Sequence, residues 1–80
     1  MVEFAVELYV SRTDPAAARR NAELARTAAE GTAVRYLRSI FMPEDETCFL
    51  FFEAASAAAV GEVADRAGFR AERVVEAAAW

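Results

Sequence analysis

The residues of this chain that could do chemistry are carboxylates, one class of cation, two phenols and a single thiol. All nine basic residues are Arg, there is no His, and Cys48 is alone. Without imidazole, the usual general base near neutral pH is missing, and so is the commonest ligand of transition metals. What remains is a guanidinium such as Arg38 that can grip a carboxylate or phenolate, and a desolvated Glu7 or Glu53 that could act as a base. Tyr9 and Tyr36 add phenols, and Phe49 and Phe51 supply apolar flanks.

The competing reading of Glu7, Tyr9, Arg38 and Glu53 is a satisfied ion-pair network at an interface between two copies. Glu44-Asp45-Glu46 lacks the ligand spacing of a calcium loop and reads as a solvated hairpin tip. Cys48 sits in an apolar strand with no cation beside it in sequence, so it reads as a small buried hydrophobe rather than a nucleophile. One Cys cannot form an internal disulfide, which suits a reducing, cytoplasmic setting.

Those side chains are useful only if something positions them, and the hydropathy pattern indicates what does. Glu3 to Val10 alternates, with Phe4, Val6, Leu8 and Val10 on one side. Thr13-Asp14-Pro15 starts a helix running to Glu30, and Gly31 stops it. Small residues at Ala18, Ala22, Ala25 and Ala29 let that helix lie close to a sheet. Ala33 to Met42 and Thr47 to Ala54 read as a hairpin around Pro43 to Glu46. Ser56 caps a second helix, Ala57 to Ala67, with Val60, Val63, Ala64 and Ala67 on its apolar face. Glu72 to Ala79 gives a last strand.

Strand, helix, strand, strand, helix, strand is the βαββαβ order of the ferredoxin-like α+β fold. It implies a four-stranded antiparallel sheet with both helices on one face, built from residues 1–80 as one domain. Burying Arg38 or Glu53 under a helix without a partner would cost several kcal/mol. That argument places Leu37, Ser39, Phe41, Cys48, Leu50 and Phe52 under the helices, with Val75 and Ala77 from the last strand. The open face is then expected to carry Glu7, Tyr9, Tyr36, Arg38, Ile40, Phe49, Phe51, Glu53, Val74 and Glu76. A face mixing large aromatics with carboxylates and a guanidinium invites a cover. The economical one is a homodimer packed sheet to sheet, enclosing a pocket for a small molecule.

The block Tyr36-Leu37-Arg38-Ser39, Phe41-Met42-Pro43-Glu44-Asp45-Glu46-Thr47-Cys48-Phe49 and Phe52-Glu53-Ala54 resembles a family of small bacterial domains of unknown function. So does the ending Ala67-Gly68 with Arg73-Val74-Val75-Glu76-Ala77. The best-known member of that family is a nickel-responsive, nickel-binding protein. The resemblance implies a dimeric ferredoxin-like fold. It also implies a metal held by histidines on the first strand and second helix, whereas Phe4–Val10 and Ala57–Gly68 contain none. No metal and no cofactor is therefore expected.

The first expectation is a non-catalytic dimeric binding module. The alternative is a small cofactor-independent enzyme, oxygenase- or cyclase-like, using the same pocket. Nickel binding stands third. The net charge of -4 disfavours nucleic acid and anionic membranes as partners. Phe49, Phe51 and Tyr9 stand where RNA-recognition domains carry stacking aromatics, but the basic opening of that motif is missing. No apolar run reaches the ~20 residues of a membrane-spanning helix, so a soluble protein is expected.

Overall fold

A computed structural model describes residues 1–80. The chain forms β1 (Val2–Tyr9), α1 (Pro15–Ala29), β2 (Arg35–Met42), β3 (Thr47–Ala54), α2 (Ala57–Arg66) and β4 (Arg73–Ala77), with a short 3-10 turn at Pro43–Asp45. The strands make one antiparallel sheet in the order β2-β3-β1-β4. This is the ferredoxin-like α+β arrangement that the order of elements implies.

Local chemistry sets the helix ends. Asp14 Oδ1 accepts from the Ala17 N–H at 3.2 Å, with Pro15 in the first turn of α1. Ser56 Oγ accepts from the Ala59 N–H at 3.2 Å and does the same for α2. Each satisfies one of the donors that a helix start leaves without a partner. Beyond α2, Gly68 takes a φ of +80°, where a side chain would be strained. The Thr32 hydroxyl donates to the Ala29 carbonyl at 2.7 Å and accepts from the Val34 N–H at 3.1 Å, stitching the end of α1 to the approach to β2.

One face of the sheet carries the core. Phe4, Val6 and Leu8 of β1 lie opposite Phe52, Leu50 and Cys48 of β3. Ala18, Ala25, Ala28 and Ala29 of α1 and Val60 and Val63 of α2 pack onto them. Val6, Cys48, Leu50, Phe52 and Val60 have no exposed surface at all. Alanine on the inner side of α1 keeps that helix close to the sheet, and the one large apolar side chain of α1, Leu24, stays exposed. A lone exposed Leu is ordinary.

Two register findings correct the sequence reading. In β2, Arg35 lies opposite Glu53 and Tyr36 opposite Phe52, but Arg38 then lies opposite Phe51. Leu37 is the extra residue of a β-bulge. Arg35 and Arg38 are three apart, so strict alternation would put one of them under the helices. The bulge keeps both outside, and it turns Tyr36 inward. Tyr36 packs against the core, its ring meeting Phe52 edge to face at 5.7 Å with a 67° interplanar angle. The expectation of Tyr36 on the open face is therefore wrong. Leu37, placed in the core from sequence, is only half-buried and lies outside the core cluster.

In β4, Val74 lies opposite Val6 and Glu76 opposite Phe4, whereas Arg73, Val75 and Ala77 lie opposite Glu7, Ala5 and Glu3. The strand therefore has the opposite phase to the one expected. Val74 packs on the core, and Val75 and Ala77 face away from the helices. Arg73 and Glu76 are also three apart, so no regular register puts both on one side. The phase that forms gives Arg73 an ion-pair partner and leaves Glu76 on the helix side, exposed at the sheet edge.

Candidate functional site

The open face of the sheet is built by alternate residues of all four strands. β1 presents Glu3, Ala5, Glu7 and Tyr9, and β3 presents Thr47, Phe49, Phe51 and Glu53. β2 adds Arg35, Arg38, Ile40 and Met42, and β4 adds Arg73, Val75 and Ala77. Of the candidate site residues, Glu7, Tyr9, Arg38, Phe49, Phe51 and Glu53 share this face. Tyr36 and Glu76 do not.

Every carboxylate of the face has a guanidinium partner. Arg38 Nη2 donates to Glu3 Oε2 at 2.9 Å, Arg73 Nε donates to Glu7 Oε1 at 3.0 Å, and Arg35 Nη2 sits 3.1 Å from Glu53 Oε1. Three acids and three Arg make the face neutral, so the whole of the net charge of -4 resides on the remaining surface. The Arg38 guanidinium also lies 4.5 Å from the centre of the Phe51 ring, a cation–π contact. The Phe49 and Phe51 rings follow at 6.3 Å with a 35° tilt. Both rings are half-buried, and beside them Ile40 is 45% and Met42 41% exposed. The result is an aromatic strip bordered by paired charges.

Glu3, Arg35 and Arg73 were missed from sequence. Glu3 shares its side of the strand with Glu7 and could have been found by that alternation. Arg35 required the bulge, and Arg73 required the phase of β4.

Tyr9 stands at the end of the sheet, 62% exposed. Its hydroxyl donates to Glu46 Oε2 at 3.3 Å, and the same oxygen accepts from the Arg12 N–H at 3.1 Å. The Glu46 carbonyl accepts from the Val10 N–H at 3.1 Å. Glu46 thus ties the β1–α1 loop to the hairpin from a left-handed backbone, φ +50°. Two shallow depressions flank Tyr9. One, of about 340 Å³, is lined by Leu8, Asn21, Phe69, Arg70 and Glu72. The other, of about 180 Å³, is lined by Glu7, Asp45, Glu46, Thr47 and Glu72.

No three of the carboxylates and the thiol are gathered in a way that could hold a metal ion. Cys48 is fully buried in the core, and burial pushes its thiol pKa above the ordinary value by disfavouring the charged form.

Comparison with known proteins bears on the fold and on the family. A crystal structure of SCO4226 from Streptomyces coelicolor A3(2) superposes with a TM-score of 0.66 at 20% sequence identity, covering 98% of each chain. At that identity the likeness shows the fold. No curated protein matches the sequence. The family model described as "Nickel responsive protein SCO4226-like" matches residues 1–77. The chain belongs to the SCO4226-like family.

Proposed function

We propose that this protein is a homodimeric binding module whose two open sheet faces pack together around a small-molecule pocket. The observation that carries the reading is the composition of that face: Phe49, Phe51, Ile40, Met42 and Val75 form an apolar strip on a charge-balanced surface. Two copies of an acidic protein repel each other through most of their surfaces. They do not repel through a neutral face whose acids are each paired with an Arg.

Size also supports a second copy as the cover. Three strands of eight residues and one of five, side by side, make a face of roughly 460 Å² in projection at ~3.3 Å rise and ~4.8 Å spacing. With side-chain relief this approaches the ~800 Å² per partner of a standard interface. A chain of 80 residues also gains from association, because small domains bury a lesser share of their surface. The pocket residues are Glu7, Tyr9, Arg38, Phe49, Phe51 and Glu53, joined by Glu3 and Arg73. Arg38 holds an anionic ligand group through donors that Glu3 leaves free, and the Phe49 and Phe51 rings flank its apolar part.

Family membership supports a second reading, nickel binding. The ligands on this chain favour the first: carboxylates and one buried thiol are a poor set for a metal that prefers imidazole.

Sedimentation equilibrium tests the dimer. The wild-type protein should associate at micromolar concentration, and Phe51→Glu should stay monomeric with an unchanged far-ultraviolet spectrum. A wild-type protein that remains monomeric at about 100 µM, where even a weak specific dimer would be populated, would refute the proposal.

A further inference from the structure

The largest exposed apolar side chain lies off the sheet. Trp80 follows β4 after Ala78 and Ala79, outside all regular structure, and it is fully exposed. It is also the only Trp in the chain, and the three residues from Ala78 to Trp80 fall beyond the stretch shared with the family model. A fully hydrated indole forgoes the burial of a large apolar surface. Trp is also the side chain most enriched among residues that dominate binding energy at interfaces.

Geometry limits where it can go. Ala77, the last residue of β4, lies opposite Glu3 on the open face, so the tail leaves the sheet at the edge of the proposed interface. Three extended residues reach about 10 Å, over a third of the length of an eight-residue strand. Ala78 and Ala79 add no bulk and no charge to hinder that course. The open face beside it begins with Glu3 and Glu53, each paired with an Arg, and the half-buried Phe51 ring lies two strands over and one step along. A second copy set face to face brings its own strip within that reach.

We infer that the Ala78–Trp80 tail of one protomer packs over the open face of the other, with the Trp80 indole as the anchor of a reciprocal clasp. This rests on the face-to-face dimer proposed above and adds a residue that each copy contributes to the other's pocket. The tail closes the side of the pocket nearest the start of β1. A small molecule bound between the sheets would then lie against the partner's indole.

The sole Trp makes the test direct. The fluorescence of the wild-type protein is followed over dilution from about 100 to about 0.1 µM, the range over which mass action dissociates a micromolar dimer. Sedimentation is measured in parallel. The expected result is a blue-shifted emission in the dimer that moves to that of water-exposed indole as sedimentation reports monomer. Trp80→Ala should weaken dimerisation at least about tenfold, as loss of an interface anchor does. Because Trp80 is fully exposed and lies outside the core, the variant should keep its fold, which circular dichroism verifies.

A dimer whose emission stays that of exposed indole throughout overturns the clasp and leaves the sheet-to-sheet dimer standing. So does a Trp80→Ala dimer of unchanged affinity. A wild-type protein that is monomeric across the whole range overturns both.

Discussion

Tyr36 and Ile40 lie four residues apart on β2, and unbroken alternation would put them on the same side of the sheet. The bulge at Leu37 separates them: Tyr36 turns to the core and Ile40 stays outside. Replacing each by Ala should therefore give very different losses. Truncating a fully buried aromatic costs about 3–5 kcal/mol. Tyr36 keeps part of its ring in water, so about 2–3 kcal/mol is expected, including ~0.5–1.5 for the edge-to-face pair with Phe52. The Arg26 guanidinium, 5.4 Å from the Tyr36 ring centre, adds a little more. In a domain of this size that corresponds to a fall in Tm of roughly 10–20 °C. Ile40→Ala removes a side chain that is 45% exposed and should cost under ~1 kcal/mol. Urea unfolding followed by circular dichroism measures both. Ile40 also lies on the proposed interface, so the comparison is made on dilute protein, where any share of its loss that comes from association falls away. If Ile40→Ala is as damaging as Tyr36→Ala in dilute solution, the bulge and the placement of Tyr36 are wrong.

Four further outcomes are expected. Cys48 should resist a thiol reagent in the native protein and react fully in denaturant, as a buried thiol of raised pKa must. Its pKa is higher folded than unfolded, so the unfolded chain loses its thiol proton first. Stability should fall as the pH rises through about 9, the ordinary value, and Cys48→Ala should remove that part of the slope, measured as unfolding midpoint against pH. Asp14→Ala should cost about 1 kcal/mol by removing the side-chain acceptor of the Ala17 N–H at the start of α1, read from chemical denaturation, with Asp14→Asn retaining most of the stability. Isothermal titration with nickel should find no stoichiometric site of sub-micromolar affinity, and such a site would favour the metal reading over the small-molecule one.

The strand–helix order and most of the core were legible because the pattern there is redundant. In β1 large apolar residues recur at every second position with Glu3 and Glu7 between them, and in β3, where both phases carry Phe, Glu53 decides which side faces out. The helix starts were legible for the same kind of reason, with Asp14-Pro15 and Ser56 each offering a side-chain acceptor where one is needed. The edge strands gave no such redundancy. Val74 and Val75 are equally apolar neighbours, and the phase is decided by Arg73 meeting Glu7 across the sheet, a contact between residues 66 apart in sequence. The bulge left only a faint trace, two charges at opposite parity in Arg35 and Arg38 around the apolar pair Tyr36-Leu37. Six of the eight expected site residues share the open face because β1, β3 and the outer half of β2 were phased correctly. Tyr36 and Glu76 were lost with the two registers that depend on tertiary pairing.

The irregularity in β2 has a further effect on how the protein behaves in a crowded solution. β2 is an outermost strand, and its free rim of amide and carbonyl groups is a template on which a stray chain could lengthen the sheet. An extra residue near the start of that rim breaks the even spacing of its donors and acceptors and increases the local twist. Arg35 and Arg38, bracketing the same spot, add charge that an incoming strand would have to accommodate. The kink that turns one tyrosine inward thereby also guards this edge of the sheet against fibril-like stacking.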